Sequence, residues 1–334
     1  MKYHGINDFD SVVKIEKSEL QKLVETYVIY LKKNISPNSI GAQVNPIKTF
    51  LEANDIDLNW RKIKRLFPAL IKRSGSSAYS TDDVKRMLDV TSQLRNKAVI
   101  HFLASSGVRI GAISDLKIKH IRDMPLGCKM ITVYEGTIEE YYTFLTPEAS
   151  SCLDDYLNQR RKNNEVLTDE SPLFRKRYQI ASTKAKHITK SAIQAIITRA
   201  LTNSNLRGQK KNNRYSEQLA HGFRKRFNTI LKLNNQVNDN AIEKMMGHSN
   251  GLDGTYFQGT VEQLFEEFSK GISDLTISDS ERLKIKNERL EMEKKESENQ
   301  STKMKDLELK LEMVIHKMEL IKNTSETKTD VTKN

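Results

Sequence analysis

The sequence has few of the residues that mark secreted or membrane-spanning proteins. Its 334 residues include only two cysteines, Cys128 and Cys152, too few for a disulfide framework or a four-thiolate zinc site. No apolar run approaches the roughly 18 residues that cross a membrane, and the first residues contain no apolar stretch of signal-peptide length. We therefore expect a cytoplasmic protein with no membrane partner.

Acidic residues are also in deficit, because 43 Asp and Glu stand against 55 Lys and Arg and leave a formal charge of +12. Residues 277–334 carry 13 basic and 13 acidic side chains, so the whole surplus lies in residues 1–276. A basic surface attracts polyanions over a Debye length of about 8 Å at physiological salt. Nucleic acid is therefore the leading partner class.

Three helical patterns precede a Ser/Gly-rich linker at residues 74–78. The first covers residues 17–34, and the second opens at Ser36-Pro37, which fits an N-cap followed by a first-turn proline. Both present apolar residues at three- and four-residue spacing, namely Leu20, Leu23, Tyr27, Leu31, Ile40, Val44, Ile47 and Leu51. The third is basic, with Arg61, Lys62, Lys64 and Arg65. On these residues alone the unit fits an ordinary helical bundle as well as a DNA-binding domain.

A second, mainly helical domain follows the linker. Ser80 and Asp83 have the spacing of a capping box. Residues Met130–Tyr134 and Tyr141–Thr146 are rich in β-branched and aromatic side chains around a glycine-containing turn, which predicts a small antiparallel hairpin. Further helices are predicted through Ile193, Ile197 and Leu201, from Ser216 to Leu233, and over Asn240–Met246.

The C-terminal segment repeats apolar residues at alternating three- and four-residue steps. The seam comprises Met304, Leu307, Leu311, Val314, Met318 and Ile321, with weaker extension back to Leu290 and Leu283. It fits either a pairing coiled coil or a single charged helix. The predicted segments are a helical domain (1–73), a linker (74–78), a mainly helical domain with a small β-sheet (79–276), a coiled-coil helix (277–322) and a disordered tail (323–334).

Four short motifs carry the candidate chemistry. They are Ser106-Gly107-Val108-Arg109, His221-Gly222-Phe223-Arg224, Gly247-His248 and Gly254-Thr255-Tyr256-Phe257. Residues three apart share one face of a helix, so His221 and Arg224 can point at one small anion. Tyr256 follows His248 by only eight residues, a step short enough to bring both to one pocket.

In order and spacing, these motifs resemble the Arg…His-x-x-Arg…His…Tyr signature of the tyrosine recombinase family, the phage-type integrases and chromosome-dimer resolvases. The likeness covers about residues 17–270. It implies a helical core-binding domain and a catalytic domain that clamp double-stranded DNA, and a nucleoid-associated protein that works as a dimer or tetramer, with the coiled coil as a possible contact. It also favours the DNA-binding interpretation of residues 1–73.

The site residues suit phosphodiester chemistry. Arg109 and Arg224 offer permanent charge and a planar fork to the non-bridging oxygens, whose charge grows in the transition state. The same field favours the phenolate of Tyr256, whose ordinary pKa is about 10. By resemblance, Tyr256 forms a 3′-phosphotyrosine link and frees a 5′ hydroxyl, His221 bonds the phosphate or assists proton transfer, and His248 donates to a non-bridging oxygen.

Because the covalent link keeps the phosphoester energy, rejoining needs neither ATP nor metal. The sequence has no Walker-type glycine loop and no convincing carboxylate metal cluster. We therefore expect no cofactor and no metal in a DNA strand transferase.

Two positions depart from the family pattern. The family uses a hairpin lysine as general acid for the leaving hydroxyl, but the turn here is Glu135-Gly136-Thr137-Ile138-Glu139-Glu140, and Lys129 is the nearest candidate. The acidic residue commonly found one turn after the first arginine is Ala112 here, with Asp115 one turn further as a possible substitute.

Two other functions stay open. A type IB topoisomerase uses the same phosphotyrosine chemistry to relax supercoils, although the compact upstream helical domain favours a recombinase. A catalytically inactive DNA-binding protein with the same fold would explain the missing hairpin lysine. In either case, phosphate contacts around Arg61–Arg73 and Arg207–Lys232 predict DNA affinity that falls steeply with salt.

Overall fold

The computed structural model describes residues 8–71, 77–177, 185–208, 219–248 and 258–288, with single positions between 290 and 313. The chain divides into two compact units, Met1–Gly75 and Ser76–Asn334, and each has its own apolar core. Within the described ranges, no helix has the length and apolarity needed to span a bilayer.

The first unit is helical. Its helices are α1 (Phe9–Val13), α2 (Lys17–Asn34), α3 (Pro37–Glu52) and α4 (Trp60–Arg65). Helix α2 has the predicted limits, but its buried face is rotated: Val24 and Val28 are buried where Leu23 and Tyr27 lie at the edge. Helix α3 starts at Pro37 as predicted, although Ser36 makes no side-chain capping bond.

The second unit combines helices with one small sheet. In chain order it contains α5 (Thr81–Asp89), α6 (Leu94–Ser106), α7 (Ile110–Ile113), β1 (Ile121–Asp123), β2 (Lys129–Val133), β3 (Tyr141–Leu145), α8 (Pro147–Lys162), α9 (Lys190–Asn203), α10 (Leu219–Leu233), α11 (Asp239–Met245), α12 (Val261–Lys270) and α13 (Ile272–Leu275). The predicted mainly helical fold with a small antiparallel sheet is thus confirmed. The stretch Ser216–Gln218, where α10 was predicted to begin, lies outside the described residues.

Local capping signals explain where several helices begin. The Ser80 hydroxyl accepts the Asp83 N–H and the Asp83 carboxylate accepts the Ser80 N–H, so the predicted capping box is confirmed. Thr146 caps α8, which begins with Pro147, a residue that loses no hydrogen bond at that position. Thr260 and Gln263 form a second capping box at α12.

The sheet has three strands, one more than predicted. Strands β2 and β3 form the expected hairpin, with Lys129 opposite Leu145 and Val133 opposite Tyr141. Strand β1 pairs with the other edge of β2, with Ile121 opposite Ile131. It was missed because three residues are too few to show a two-residue alternation.

Helix α6 is buried on all sides at the centre of the second unit and packs against α8, α9 and α10. A second apolar cluster joins β2, β3, α10, α11 and α12, and in it Phe144 stacks against Phe265 and Phe268 with ring centroids 5.4 and 5.3 Å apart. Helix α10 therefore lies between both clusters, and its side chains are held firmly.

The C-terminal helical segment continues over residues 279–288. Ile277 is buried in the core of the second unit, so the segment assigned to a coiled coil begins inside the globular unit. The described seam residues Leu283, Leu290, Met304 and Leu307 are exposed, and a coiled coil is not confirmed. The predicted tail (323–334) and most of the predicted linker lie outside the described residues.

Candidate active site

The first arginine follows the end of α6. Gly107 ends this helix with φ of +58° and donates its N–H to the Leu103 carbonyl. A side chain there would be strained, and a Cβ would also lie 2.7 Å from the Phe227 ring. The glycine thus lets the chain turn tightly against α10 and deliver Arg109 two residues later.

The histidine motif uses a similar turn at the end of α11. Gly247 has φ of +61°, its N–H donates to the Lys244 carbonyl, and the His248 N–H donates to the Glu243 carbonyl. This is a Schellman motif. A Cβ on Gly247 would lie 2.5 Å from the Tyr141 ring, so the hairpin packs directly on this turn and fixes His248.

Each arginine binds a glycine turn that belongs to a different motif from its own. Arg109 Nη2 donates to the Gly247 carbonyl at 2.8 Å, and Arg224 Nη1 donates to the Gly107 carbonyl at 2.8 Å. Arg224 Nη2 also donates to the Met246 carbonyl at 2.5 Å. The structure therefore brings Arg109, Arg224 and His248 together from three separate stretches of sequence.

The ring of His248 lies between Arg224 and Glu243. Its Nε2 is 2.6 Å from Arg224 Nη2, and its Nδ1 is 2.5 Å from Glu243 Oε2. A guanidinium only donates and a carboxylate accepts, so this geometry assigns the ring proton to Nδ1. The other carboxylate oxygen of Glu243 contacts Lys232 Nζ at 2.5 Å.

The electrostatics of the cluster reflect burial beside several cations. Burial lowers the pKa of His221, and Lys225, Arg224 and His248 lower it further. The His221 ring is therefore uncharged at neutral pH. Burial also lowers the pKa of Arg224, which nevertheless stays charged at any working pH.

Tyr141 lies beside the two arginines. Its side chain is buried next to Arg224 and the backbone of Arg109. Burial raises the pKa of the Tyr141 hydroxyl, although the two nearby arginine charges oppose the rise. The Tyr141 phenol is therefore uncharged beside the cations.

Two guanidiniums and the imidazole of His248, with the exposed His221 near them, form a group that suits a phosphate. The family model described as the phage integrase family matches residues 78–252, which include Arg109, His221, Arg224 and His248. The chain belongs to this family of tyrosine recombinases.

Known integrase-family relatives show distant similarity. The chain is 25% identical over 156 residues to the tyrosine recombinase XerC of Caldanaerobacter subterraneus subsp. tengcongensis, covering 47% of this chain and 38% of that protein. It is 24% identical over 245 residues to the tyrosine recombinase XerA of Thermococcus kodakarensis, covering 71% and 77%. The chain thus spans well under half of the first relative and about three quarters of the second.

A solved structure shares the fold of this integrase-family chain. The Tn1549 transposon integrase, in complex with circular intermediate DNA, superimposes with a TM-score of 0.50 at 14% identity over 80% of this chain and 95% of that one. At that identity the likeness shows the fold alone.

The candidate nucleophile of the integrase signature, Tyr256, lies outside the described residues, and the family match ends at residue 252. Its two flanks are described: His248 lies on one side and the capping box at Thr260 on the other. Its assignment therefore remains a prediction from the order and spacing of the motifs.

Lys129 does not join the cluster. It lies opposite Leu145, four residues along β2 from Val133, the partner of Tyr141, a separation of about 13 Å. Its Nζ contacts Asp123 at 2.5 Å and Asp154 at 3.1 Å. This arrangement does not support the interpretation of Lys129 as leaving-group acid, which stays a prediction.

Asp115 is exposed, and its side chain makes no bond to Arg109 among the described contacts, so it does not substitute for the family acid. Ala112 is buried in the core. Arg109 is oriented instead by the Gly247 carbonyl.

Sequence reasoning missed Glu243, Lys232 and Tyr141. Glu243 could have been found, because a helix ending in Gly-His places the residue five before the histidine against it in a Schellman motif. Lys232 and Tyr141 carried no comparable signal, since their roles depend on how α10 and the hairpin pack against α11.

Proposed function

We propose that this chain is a site-specific DNA recombinase, an integrase that cuts and rejoins DNA strands through a 3′-phosphotyrosine link on Tyr256 without metal or ATP. The observation that carries the proposal is the bonding of both arginines to backbone carbonyls of distant glycine turns, Arg109 to Gly247 and Arg224 to Gly107. Backbone carbonyls orient these guanidiniums without neutralising them, which leaves positive charge for a phosphate.

In this proposal, Arg109 and Arg224 stabilise the charge that grows on the non-bridging oxygens of the pentavalent transition state. The Tyr256 oxygen attacks phosphorus as its phenolic proton leaves, and the bond to the 5′ oxygen breaks as that oxygen takes up a proton and leaves as a 5′ hydroxyl. His221, uncharged at neutral pH, is available to accept or relay a proton. A 5′ hydroxyl of another strand then attacks the phosphotyrosine link and releases Tyr256.

Double-stranded DNA is the proposed partner, and the first unit is proposed to bind one face of it. Helix α4 ends in the basic residues Lys62, Lys64 and Arg65. If these and the exposed basic residues of α10 contact phosphates, affinity must fall steeply with salt, because binding releases counterions. A dimer or tetramer on DNA, with contacts through the C-terminal helix, also belongs to this proposal.

The test uses nicked duplexes whose arms carry randomised sequence. Cleavage next to the nick releases a short fragment that carries the 5′ hydroxyl, so the covalent intermediate cannot be rejoined and accumulates. Adducts are separated on a denaturing gel and their DNA is sequenced, which also identifies the target site. We expect an adduct with the wild-type chain and none with Tyr256→Phe. Absence of any adduct, with tight DNA binding retained, would contradict the proposal.

One observation favours a second candidate, a DNA-binding protein without strand-cleaving activity. The hairpin turn holds glutamates where the family has its acid, and Lys129 is bound to Asp123 and Asp154. The same gel separates the candidates. An adduct combined with relaxation of a plasmid that lacks the selected site would instead indicate a topoisomerase.

A further inference from the structure

We infer that Glu243 is a positioning residue: it holds the His248 ring with its proton on Nδ1, so that Nε2 faces the Arg224 guanidinium in the proposed phosphate site. The inference rests on the proposed function for its consequence in cleavage. The arrangement of the ring itself can be tested without any activity.

Two independent bonds tie His248 to Glu243. The backbone N–H of His248 donates to the Glu243 carbonyl at 3.0 Å, and the ring Nδ1 lies 2.5 Å from Glu243 Oε2. The first bond belongs to the helix-ending motif and sets the backbone. The second sets the rotation of the ring, which the backbone alone would leave free.

The carboxylate itself is held in place. Burial raises the pKa of Glu243, but hydrogen bonds from Lys232 and His248 outweigh this effect and lower it below its ordinary value. Glu243 is therefore ionised at neutral pH and can only accept. Its side chain is 15% exposed, so water competes weakly for the oxygen that faces the ring.

The chemical consequence concerns Nε2. With the proton fixed on Nδ1, a neutral ring presents a lone pair at Nε2, which here accepts from Arg224 Nη2 at 2.6 Å. Donation from Nε2 to a phosphate oxygen, the role expected from the family resemblance, therefore requires a doubly protonated ring. Glu243 supplies the negative charge beside Nδ1 that balances such a ring.

A purely structural role for Glu243 makes different predictions. Its Oε1 joins α11 to α10 through Lys232, and this link alone could explain a loss of stability. Lys232→Met removes the link and leaves the bond to His248. Asp279→Asn, which removes an exposed carboxylate paired with Lys85, is a control for charge.

The first test reads the ring directly. Histidine is labelled with nitrogen-15, and ring signals are recorded at pH 8, above the ordinary pKa of histidine. The His248 signals are assigned by their loss in His248→Gln. We expect a protonated Nδ1 and an unprotonated Nε2 in the wild type and in Glu243→Gln, whose amide oxygen can still accept, and a mixture in Glu243→Ala. A proton on Nε2 in the wild type would overturn the inference.

The second test uses the adduct-forming duplex at single turnover. We expect Glu243→Ala to slow adduct formation at least tenfold, Glu243→Gln to fall between Glu243→Ala and the wild type because its amide oxygen accepts from Nδ1 but carries no charge, and Asp279→Asn to stay within about threefold of the wild type. In a His248→Ala background, Glu243→Ala should add no further loss.

The outcomes separate this inference from the proposed function. Two results would overturn the positioning role without affecting the proposed function. One is that Glu243→Ala forms the adduct as fast as the wild type; the other is that Glu243→Ala slows it as much in the His248→Ala background as in the wild type. If the wild type forms no adduct, the proposed function fails, and the ring signals still decide whether Glu243 sets the tautomer.

Discussion

Two arginine clusters in the second unit use the same residue types in opposite ways. In one, Arg160 bonds both carboxylate oxygens of Glu165 at 3.1 and 2.7 Å, and Arg175 adds a third contact at 2.6 Å. In the other, Arg109 and Arg224 are held by backbone carbonyls, and the carboxylate of Glu243 is bound by His248 and Lys232.

The difference lies in whether the guanidiniums share a carboxylate or donate only to backbone carbonyls. Glu165 bridges its cluster, because its carboxylate accepts from both guanidiniums and offsets part of their charge. A carbonyl fixes the direction of a guanidinium but carries no net charge, so the second cluster keeps its attraction for an incoming anion. Such a separation between a structural and a functional cluster can be tested by changing one member of each.

The largest expected effect follows Arg224→Ala. Removing this charge and its donors should slow single-turnover adduct formation about a thousandfold, equivalent to about 4 kcal/mol, while DNA affinity changes little. Lys225→Ala, which removes an equal charge from the next position, should stay within about tenfold of the wild-type rate. A comparable loss in both variants would mean that α10 contributes only its overall charge.

In the cluster of Arg160, Glu165 and Arg175, Glu165→Gln should lower the free energy of unfolding by about 3 kcal/mol, because it leaves two buried guanidiniums without their anion. Thermal unfolding measures this loss, and adduct formation by the folded fraction should be unchanged.

The same cluster predicts a dependence on pH. Burial raises the pKa of Glu165, but hydrogen bonds from Arg160 and Arg175 outweigh this and hold it below its ordinary value of 4.5. A carboxylate with a lowered pKa stabilises the fold above its unfolded pKa and loses that contribution as the pH falls through its folded pKa. The wild type should therefore lose stability below about pH 4.5, and Glu165→Gln should lack that component of the loss.

A smaller effect is expected from Gly247→Ala, which changes the backbone turn beside Arg109, Arg224 and His248 but removes no charge. A positive φ and the close Tyr141 ring make the substitution cost about 1–3 kcal/mol, and a displaced His248 should slow adduct formation. Gly111→Ala is the matched control, because a Cβ there meets nothing within 4 Å. Equal behaviour of the two variants in unfolding and cleavage would contradict the role assigned to this turn.

The smallest effect is expected from Lys129→Met, which should leave adduct formation within about threefold of the wild type. The Lys129 ammonium is paired with the carboxylates of Asp123 and Asp154. A large loss that disappears when sulfur replaces the leaving 5′ oxygen would reverse this conclusion, since a thiolate leaves without an acid.

Local features of the fold were predictable from sequence, and pairings set by packing were not. The Ser80 capping box and the ends of α2 follow from short-range hydrogen bonding and apolar spacing. The rotation of the α2 face towards Val24 and Val28 depends on how α3 packs against it. Similarly, the motif order indicated that distant residues share a site, but only the fold shows that each arginine binds a glycine turn of another motif.

The hydrogen bonds from Arg109 and Arg224 to distant carbonyls also bear on how the site forms during synthesis. The carbonyls that hold the arginines lie 138 residues away from Arg109 and 117 away from Arg224. A ribosome that has released only the first of these stretches exposes a chain with no assembled anion site. Under the proposed function, strand cutting must therefore wait until translation has passed Tyr256, and shorter chains would carry basic residues without an assembled site.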